Sequence, residues 1–174
     1  TPMSLLKSGK WGFDTVLGPT PVGATWVSGG GRPSFWSMFL GLKSGCIGEI
    51  SVLALLIGGL YLIWRGTINW RIPVGILGSF FLLSLVTWNQ PIYQLMGAGL
   101  FLGAFFMATD WVTSPMSTWG QVVYGLIIGV CVVLIRVFLA PAGAVAYSIL
   151  IGNAFVPLLD AVFKPKRFGE VAAA

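Results

Sequence analysis

The chain has 174 residues, 9% charged and 56% hydrophobic, where a soluble domain carries about 25% charged residues. With a mean hydropathy of +0.90, this excludes an ordinary soluble domain and indicates an integral membrane protein. The formal net charge of +5 comes from basic residues set at segment ends rather than in a patch, so nucleic-acid binding has no support, and with no His and only Cys46 and Cys131, far apart, no protein-ligated metal centre is expected.

The opening residues, TPMSLLKSGK, have neither an initiator Met nor the layout of a signal peptide, and are read as the edge of a longer chain. Residues 1–45 precede the first qualifying span and are expected to form an extramembrane segment and loop. Within them SGGGRP, Ser28 to Pro33, lacks the Lys-Ser/Thr continuation of a phosphate-binding loop and reads as a flexible link.

A spanning helix needs about 20 apolar residues, because a rise of about 1.5 Å per residue must cover roughly 30 Å of hydrocarbon. Five segments qualify: Ile47 to Trp64, Ile72 to Trp88, Pro91 to Thr109, Trp119 to Leu139 and Gly143 to Phe163. The expected fold is therefore an all-α polytopic membrane helical bundle, with a membrane domain over 46–163 and a short tail over 164–174. Trp64, Trp70, Trp88, Trp111 and Trp119 mark segment ends, where an indole can bury its ring and keep its N–H wet. The excess of Arg and Lys at Arg65, Arg71, Lys164, Lys166 and Arg167 predicts a cytoplasmic C-terminus, with residues 1–45 on the outer side and the turn at Asp110 on the inner side.

Ionisable residues near the spans fall into two groups. Glu49 and Arg136 are expected at the outer end, where pairing or simple snorkelling are both open for Arg136. Asp110, Asp160, Arg65 and Arg71 are expected at the inner end. The glycines of GAGLFLG (Gly97, Gly99, Gly103), IGGL (Gly58, Gly59) and GLIIG (Gly125, Gly129) are read as places where helices approach closely. The stretch ATDWVTSP places Thr109, Asp110, Thr113 and Ser114 together, although the next helix needs only one cap, assigned to Ser117 or Thr118. Two readings stay open: a capped turn, or a pocket or electrostatic gate for a polar ring system or a cation.

The string GAFFMATDWVTSP resembles the GxxFMATDPVTSP signature of the RnfD/NqrB family, the flavin-carrying membrane subunits of Rnf and sodium-pumping NADH:quinone oxidoreductase complexes. The segment from Phe39 to Ile63, NWRIP at Asn69 to Pro73, Gly125 to Arg136 and Gly152 to Asp160 resemble further family stretches in the same order. Cys46, Ile50 and Trp111 depart from the family's usual Ser, Thr and Pro, so no hydroxyl role is assigned at 46 or 50.

The resemblance implies FMN joined through a phosphoester to a Thr in a D-x-x-S-G-A-T-P-L segment, attached by a separate flavin transferase. Thr1-Pro2-Met3 looks like the end of that motif, which makes Thr1 the flavin-bearing residue; Thr20, in a poorer copy from Asp14 to Val22, is the alternative. An anionic phosphate is costly in hydrocarbon, so the attachment segment belongs at an aqueous surface. The cluster of Thr109, Asp110 and Thr113 is the candidate for a second, non-covalent flavin such as riboflavin, or for part of an ion path. By resemblance the expected role is a subunit of a bacterial inner-membrane translocase. It relays electrons between ferredoxin and NAD partner subunits, coupled to Na⁺ or H⁺ movement, with no catalytic side chain of its own. The competing expectation is a permease or scaffold subunit without a redox cofactor.

Overall fold

A computed structural model describes residues 35–41, 47–87, 91–139 and 143–163. Thr1 and Thr20 lie outside the described residues. The described residues contain helices and no strand. In chain order these are α1 (Phe35–Leu40), a 3-10 turn (Ile47–Glu49), α2 (Val52–Trp64), α3 (Arg71–Thr87), α4 (Pro91–Met96), α5 (Leu100–Leu102) running into a π-helical turn (Gly103–Met107), α6 (Thr118–Phe138) and α7 (Ala144–Val162). Both α6 and α7 are long and apolar enough to cross a bilayer, and α2 and α3 are shorter apolar helices.

Side-chain placement is that of a bundle in lipid. Ile57, Leu60, Leu82, Val86, Leu150 and Leu158 point outward and are exposed, where a soluble bundle would place charges. Buried hydroxyls are satisfied within their own helices. Ser79 donates to the Gly75 carbonyl at 2.7 Å, and Ser148 to the Ala144 carbonyl at 2.6 Å. Such back-bonding lets a polar residue sit in an apolar helix without an orphaned group.

The centre is the packing of α3 against α6. Ile72, Ile76 and Phe80 on α3, and Tyr124, Ile128 and Val132 on α6, recur every fourth residue and form one buried cluster. Between them the backbones touch. A Cβ on Gly75 would lie 3.2 Å from the Gly125 Cα, and one on Gly125 would lie 2.9 Å from the Ile72 carbonyl oxygen. A Cβ on Gly129 would overlap the Ser79 hydroxyl. Because Gly75 meets Gly125 and Ser79 meets Gly129, the two helices run parallel. Without a hydrophobic drive between helices in lipid, such small-residue contact is what holds them. Against its other side α6 packs antiparallel to α7, with Gly152 seated on Ile128 and Tyr124.

The third predicted span differs from the structure. Pro91 to Thr109 is not one helix: α4 stops at Met96, Ala98 and Gly99 take positive φ of 49° and 65°, and the chain resumes at Leu100 before passing into the π-helical turn. Gly97 and Ala98 are buried, as unwound backbone at membrane depth must be. Of the glycines read as packing residues, Gly103 does pack, against Val145, and Gly59 packs against Phe105, but Gly99 serves the break, its left-handed backbone being cheapest without a Cβ. Glu49 also differs from its expected place at the start of a helix. It sits in the 3-10 turn, and α2 begins after Ser51, whose hydroxyl accepts from the Ala54 N–H at 3.2 Å.

Candidate functional site at the Trp111 end of the bundle

The π-helical turn closes with the Ala108 N–H on the Gly103 carbonyl at 2.8 Å, and the Thr109 hydroxyl donates to the Phe105 carbonyl at 2.7 Å. Asp110 follows this helix after Ala108, its cap, and Thr109. Its backbone carbonyl accepts from the Ser114 N–H at 3.1 Å, and its carboxylate accepts from the Thr113 hydroxyl at 3.3 Å. The turn is then fastened on three sides. Trp111 Nε1 donates to the Thr67 carbonyl at 2.9 Å. The Met116 N–H donates to the Asp160 carboxylate at 3.2 Å. Ser117 caps α6 by accepting from the Gly120 N–H at 3.1 Å, as the sequence predicted. These bonds gather the α2–α3 link, the Asp110 turn and the end of α7 at one end of the bundle.

Beneath the turn lies a cavity of about 230 Å³ whose wall includes Thr67, Asn69, Thr109, Trp111, Ser114 and Gln121. Among the described residues its lining carries no charged side chain. Gln121 donates its Nε2 to the Pro115 carbonyl at 3.1 Å, while its Oε1 is buried without a hydrogen-bond partner. Hydroxyls, amides and one buried, unpartnered acceptor against an indole and Ile72 suit a neutral ring with donors and acceptors along its edge.

The predicted cluster therefore divides. Thr109 and Ser114 line the cavity, whereas Asp110 and Thr113 form a pair beside it, with Asp110 exposed. Sequence reasoning passed over Gln121, Thr67 and Asn69. The available signal was Gln121 itself, a lone amide in the first turns of an otherwise apolar helix.

A second polar feature lies at the opposite end, across the break in the third span. Arg136 is 7% exposed, so it does not snorkel to water. Its guanidinium donates to the carbonyls of Gln94 and Gly97, at 2.5 and 3.0 Å, and its Cζ lies 4.8 Å from the centroid of the Phe80 ring. Glu49 stands on the other side: a Cβ on Gly99 would lie 2.8 Å from its carboxylate oxygen, and its charge acts on Arg136. A cation thus faces the carbonyl end of α4 and an anion faces the start of α5, each complementing the local helix dipole.

The sequence profile of the NQR2, RnfD, RnfE family matches residues 1–169. The D-type subunit of the Na(+)-translocating ferredoxin:NAD(+) oxidoreductase complex of Acetobacterium woodii is 39% identical over 171 residues, covering 97% of this chain and 48% of its own length. The D-type subunit of the proton-translocating ferredoxin:NAD(+) oxidoreductase complex of Clostridium ljungdahlii is 40% identical over 177 residues, 91% of this chain and 53% of its own length. The D-type subunit of the ion-translocating oxidoreductase complex of Alcanivorax borkumensis is 38% identical over 187 residues, 97% of this chain and 55% of its own length. The chain spans about half the length of these relatives. A match over nearly every residue, joined to an all-helical membrane bundle, shows that the chain belongs to the NQR2, RnfD, RnfE family.

Proposed function

We propose that this chain forms part of a flavin-carrying membrane subunit of an ion-translocating oxidoreductase complex of the Rnf type. FMN is joined by a phosphoester to Thr1, with Thr20 as the alternative, on an extracytoplasmic segment over residues 1–45; a flavin transferase makes the bond. The bundle sits in a bacterial cytoplasmic membrane with its C-terminus inside. Bound flavin supplies one- and two-electron transfer, and the chain's own residues position it between partner subunits that serve ferredoxin and NAD. Support comes from family membership across residues 1–169, a range that includes both threonines.

The observation that carries the reading into the bundle is the cavity under the Asp110 turn. An isoalloxazine edge presents one N–H donor and carbonyl acceptors. The unpartnered Gln121 Oε1 suits the donor, and Ser114 and Asn69 suit the acceptors. At about 230 Å³ the space is below the roughly 300–1,000 Å³ of pockets that enclose a whole drug-sized ligand. It takes a ring edge and leaves a sugar-alcohol tail outside, which fits a second, non-covalent flavin such as riboflavin. The residues holding it are then Thr109, Ser114 and Gln121, with the Asp110–Thr113 pair fixing the turn above.

The transported ion is Na⁺ or H⁺. The relatives named for sodium and for proton transport are 39% and 40% identical, so similarity does not choose between them.

One observation favours a second reading, in which the bundle is a permease or scaffold without a redox cofactor. Discontinuous helices with charged caps recur in transporters, and the third span is of that kind. The two readings separate on the purified, denatured protein. Covalent FMN leaves a band that fluoresces under ultraviolet light, and mass spectrometry of the N-terminal peptide places the added mass on Thr1 or Thr20. A dark band with an unmodified peptide refutes the flavin reading and leaves the second.

A further inference from the structure

At the same end of the bundle as the cavity, but on its outer surface, α3 and α6 begin side by side. A groove of about 400 Å³ runs between them, bounded by Trp70, Arg71, Val74, Gly75, Trp119 and Val122. Gly75, which meets Gly125 where the two helices touch, forms part of its wall, together with Thr118. Val74 is exposed and Val122 half-buried, and both are apolar. At the mouth stand two tryptophans, Trp70 and Trp119, 54% and 69% exposed. Arg71 lies between wall and water, its Cζ 5.7 Å from the centroid of the Trp70 ring.

We infer that this groove binds one anionic phospholipid from the membrane leaflet it faces, with an acyl chain along Val74 and Val122 and the headgroup phosphate at Arg71. Charge complementarity selects the occupant. Among the described residues, Arg71 is the charged residue of the lining, and Asp110 and Asp160, the acidic residues described at this end, are not part of it. The parallel course of α3 and α6 also brings two helix N-termini to the same mouth, whose dipoles add to the positive potential. An Arg in the first turn of a helix opposes that dipole, and a bound phosphate offsets the repulsion. Basic pockets between membrane helices, flanked by interfacial aromatics, are suited to anionic headgroups.

The test uses the full-length protein purified in its complex, delipidated in detergent and titrated with phosphatidylglycerol, phosphatidylcholine or inorganic phosphate, with bound lipid read by native mass spectrometry. Phosphatidylglycerol is expected to be retained, phosphatidylcholine lost, and inorganic phosphate unable to displace the lipid. Arg71→Gln is expected to lower phosphatidylglycerol retention about fivefold, the effect of about one basic residue at an anionic surface. Arg65→Gln, exposed at the same end but outside the groove, is expected to leave it unchanged. Val74→Trp, which fills the groove and keeps the charge, is expected to abolish retention, and it carries the test if Arg71→Gln fails to assemble. Equal retention of the two lipids, an equal loss in Arg65→Gln, or full retention in Val74→Trp overturns the site and leaves the groove to a helix of a neighbouring subunit.

Discussion

Arg136 reaches from α6 to the carbonyl of Gly97, 3.0 Å away, at the point where the third span stops being a helix. A guanidinium at an unwound turn does two jobs that hydrocarbon cannot do: it satisfies freed carbonyls and places positive charge at the negative end of α4. Glu49 completes the arrangement from the turn before α2, so residues far apart in the chain define one local conformation.

Replacing Arg136 by Met should leave the Gln94 and Gly97 carbonyls buried and unpaired, at about 1–3 kcal/mol for each such group. We expect a lowered unfolding temperature in detergent, partly restored by Arg136→Lys, which keeps the charge and loses the fork. An unchanged melting temperature in Arg136→Met would show that the break is held by other means.

The glycine seam gives a paired prediction. Gly129→Ala places a methyl on the Ser79 hydroxyl, which is already committed to the Gly75 carbonyl, and should cost about 1–3 kcal/mol by overpacking. Gly78→Ala meets no atom within 4 Å and should be neutral or add about 0.4–1 kcal/mol through the unfolded chain. Thermal unfolding of the two variants side by side checks both signs.

Asp160→Ala removes the acceptor of the Met116 N–H and frees one side of the Asp110 turn. Hydrogen exchange at Met116 should accelerate by about fivefold, corresponding to about 1 kcal/mol for one hydrogen bond, while exchange within α6 stays as it was. Equal acceleration along α6 would mean that Asp160 supports the whole bundle rather than the turn.

For the cavity, Gln121→Leu and Asp110→Asn should separate two roles. Gln121→Leu removes the unpartnered acceptor. It should lower non-covalent flavin content after gentle purification, with the melting temperature little changed, because the loss of the bond to the Pro115 carbonyl offsets the removal of an unsatisfied buried oxygen. Asp110→Asn should impair flavin content or coupled ion transport while the subunit still assembles. Normal flavin content and normal pumping in both variants would remove the cavity from the mechanism.

Elements whose determinants are local were legible in the sequence. Ser117 as a cap, the ends of α6 and α7 within a residue or two, and the close approach at Gly125 and Gly129 all follow from residues within one turn of where they act. The break at Gly97 to Gly99 was not legible, because a Gly-Ala-Gly run in an apolar stretch is compatible with a packed helix. What decides against the helix is Arg136 and Glu49, brought there by tertiary structure. The site was half legible for a similar reason. Asp110 drew notice as a charge at a span end, yet the cavity wall is completed by Thr67 and Asn69 from another hairpin and by Gln121, which a one-dimensional pattern does not place beside Ser114.

The parallel pairing of α3 with α6 carries a consequence for biogenesis. Parallel neighbours cannot be joined by a tight turn, and here the broken third span lies between them in the chain. While the protein is being made, α3 is synthesised before residues 118–138, so Gly75 and Ser79 wait for their α6 partners until those residues have left the ribosome and been inserted. The face of α3 that carries Gly75 and Ser79 is thus without its α6 partner for part of synthesis, and a substitution there is expected to act on the yield of inserted protein as well as on the stability of the finished one.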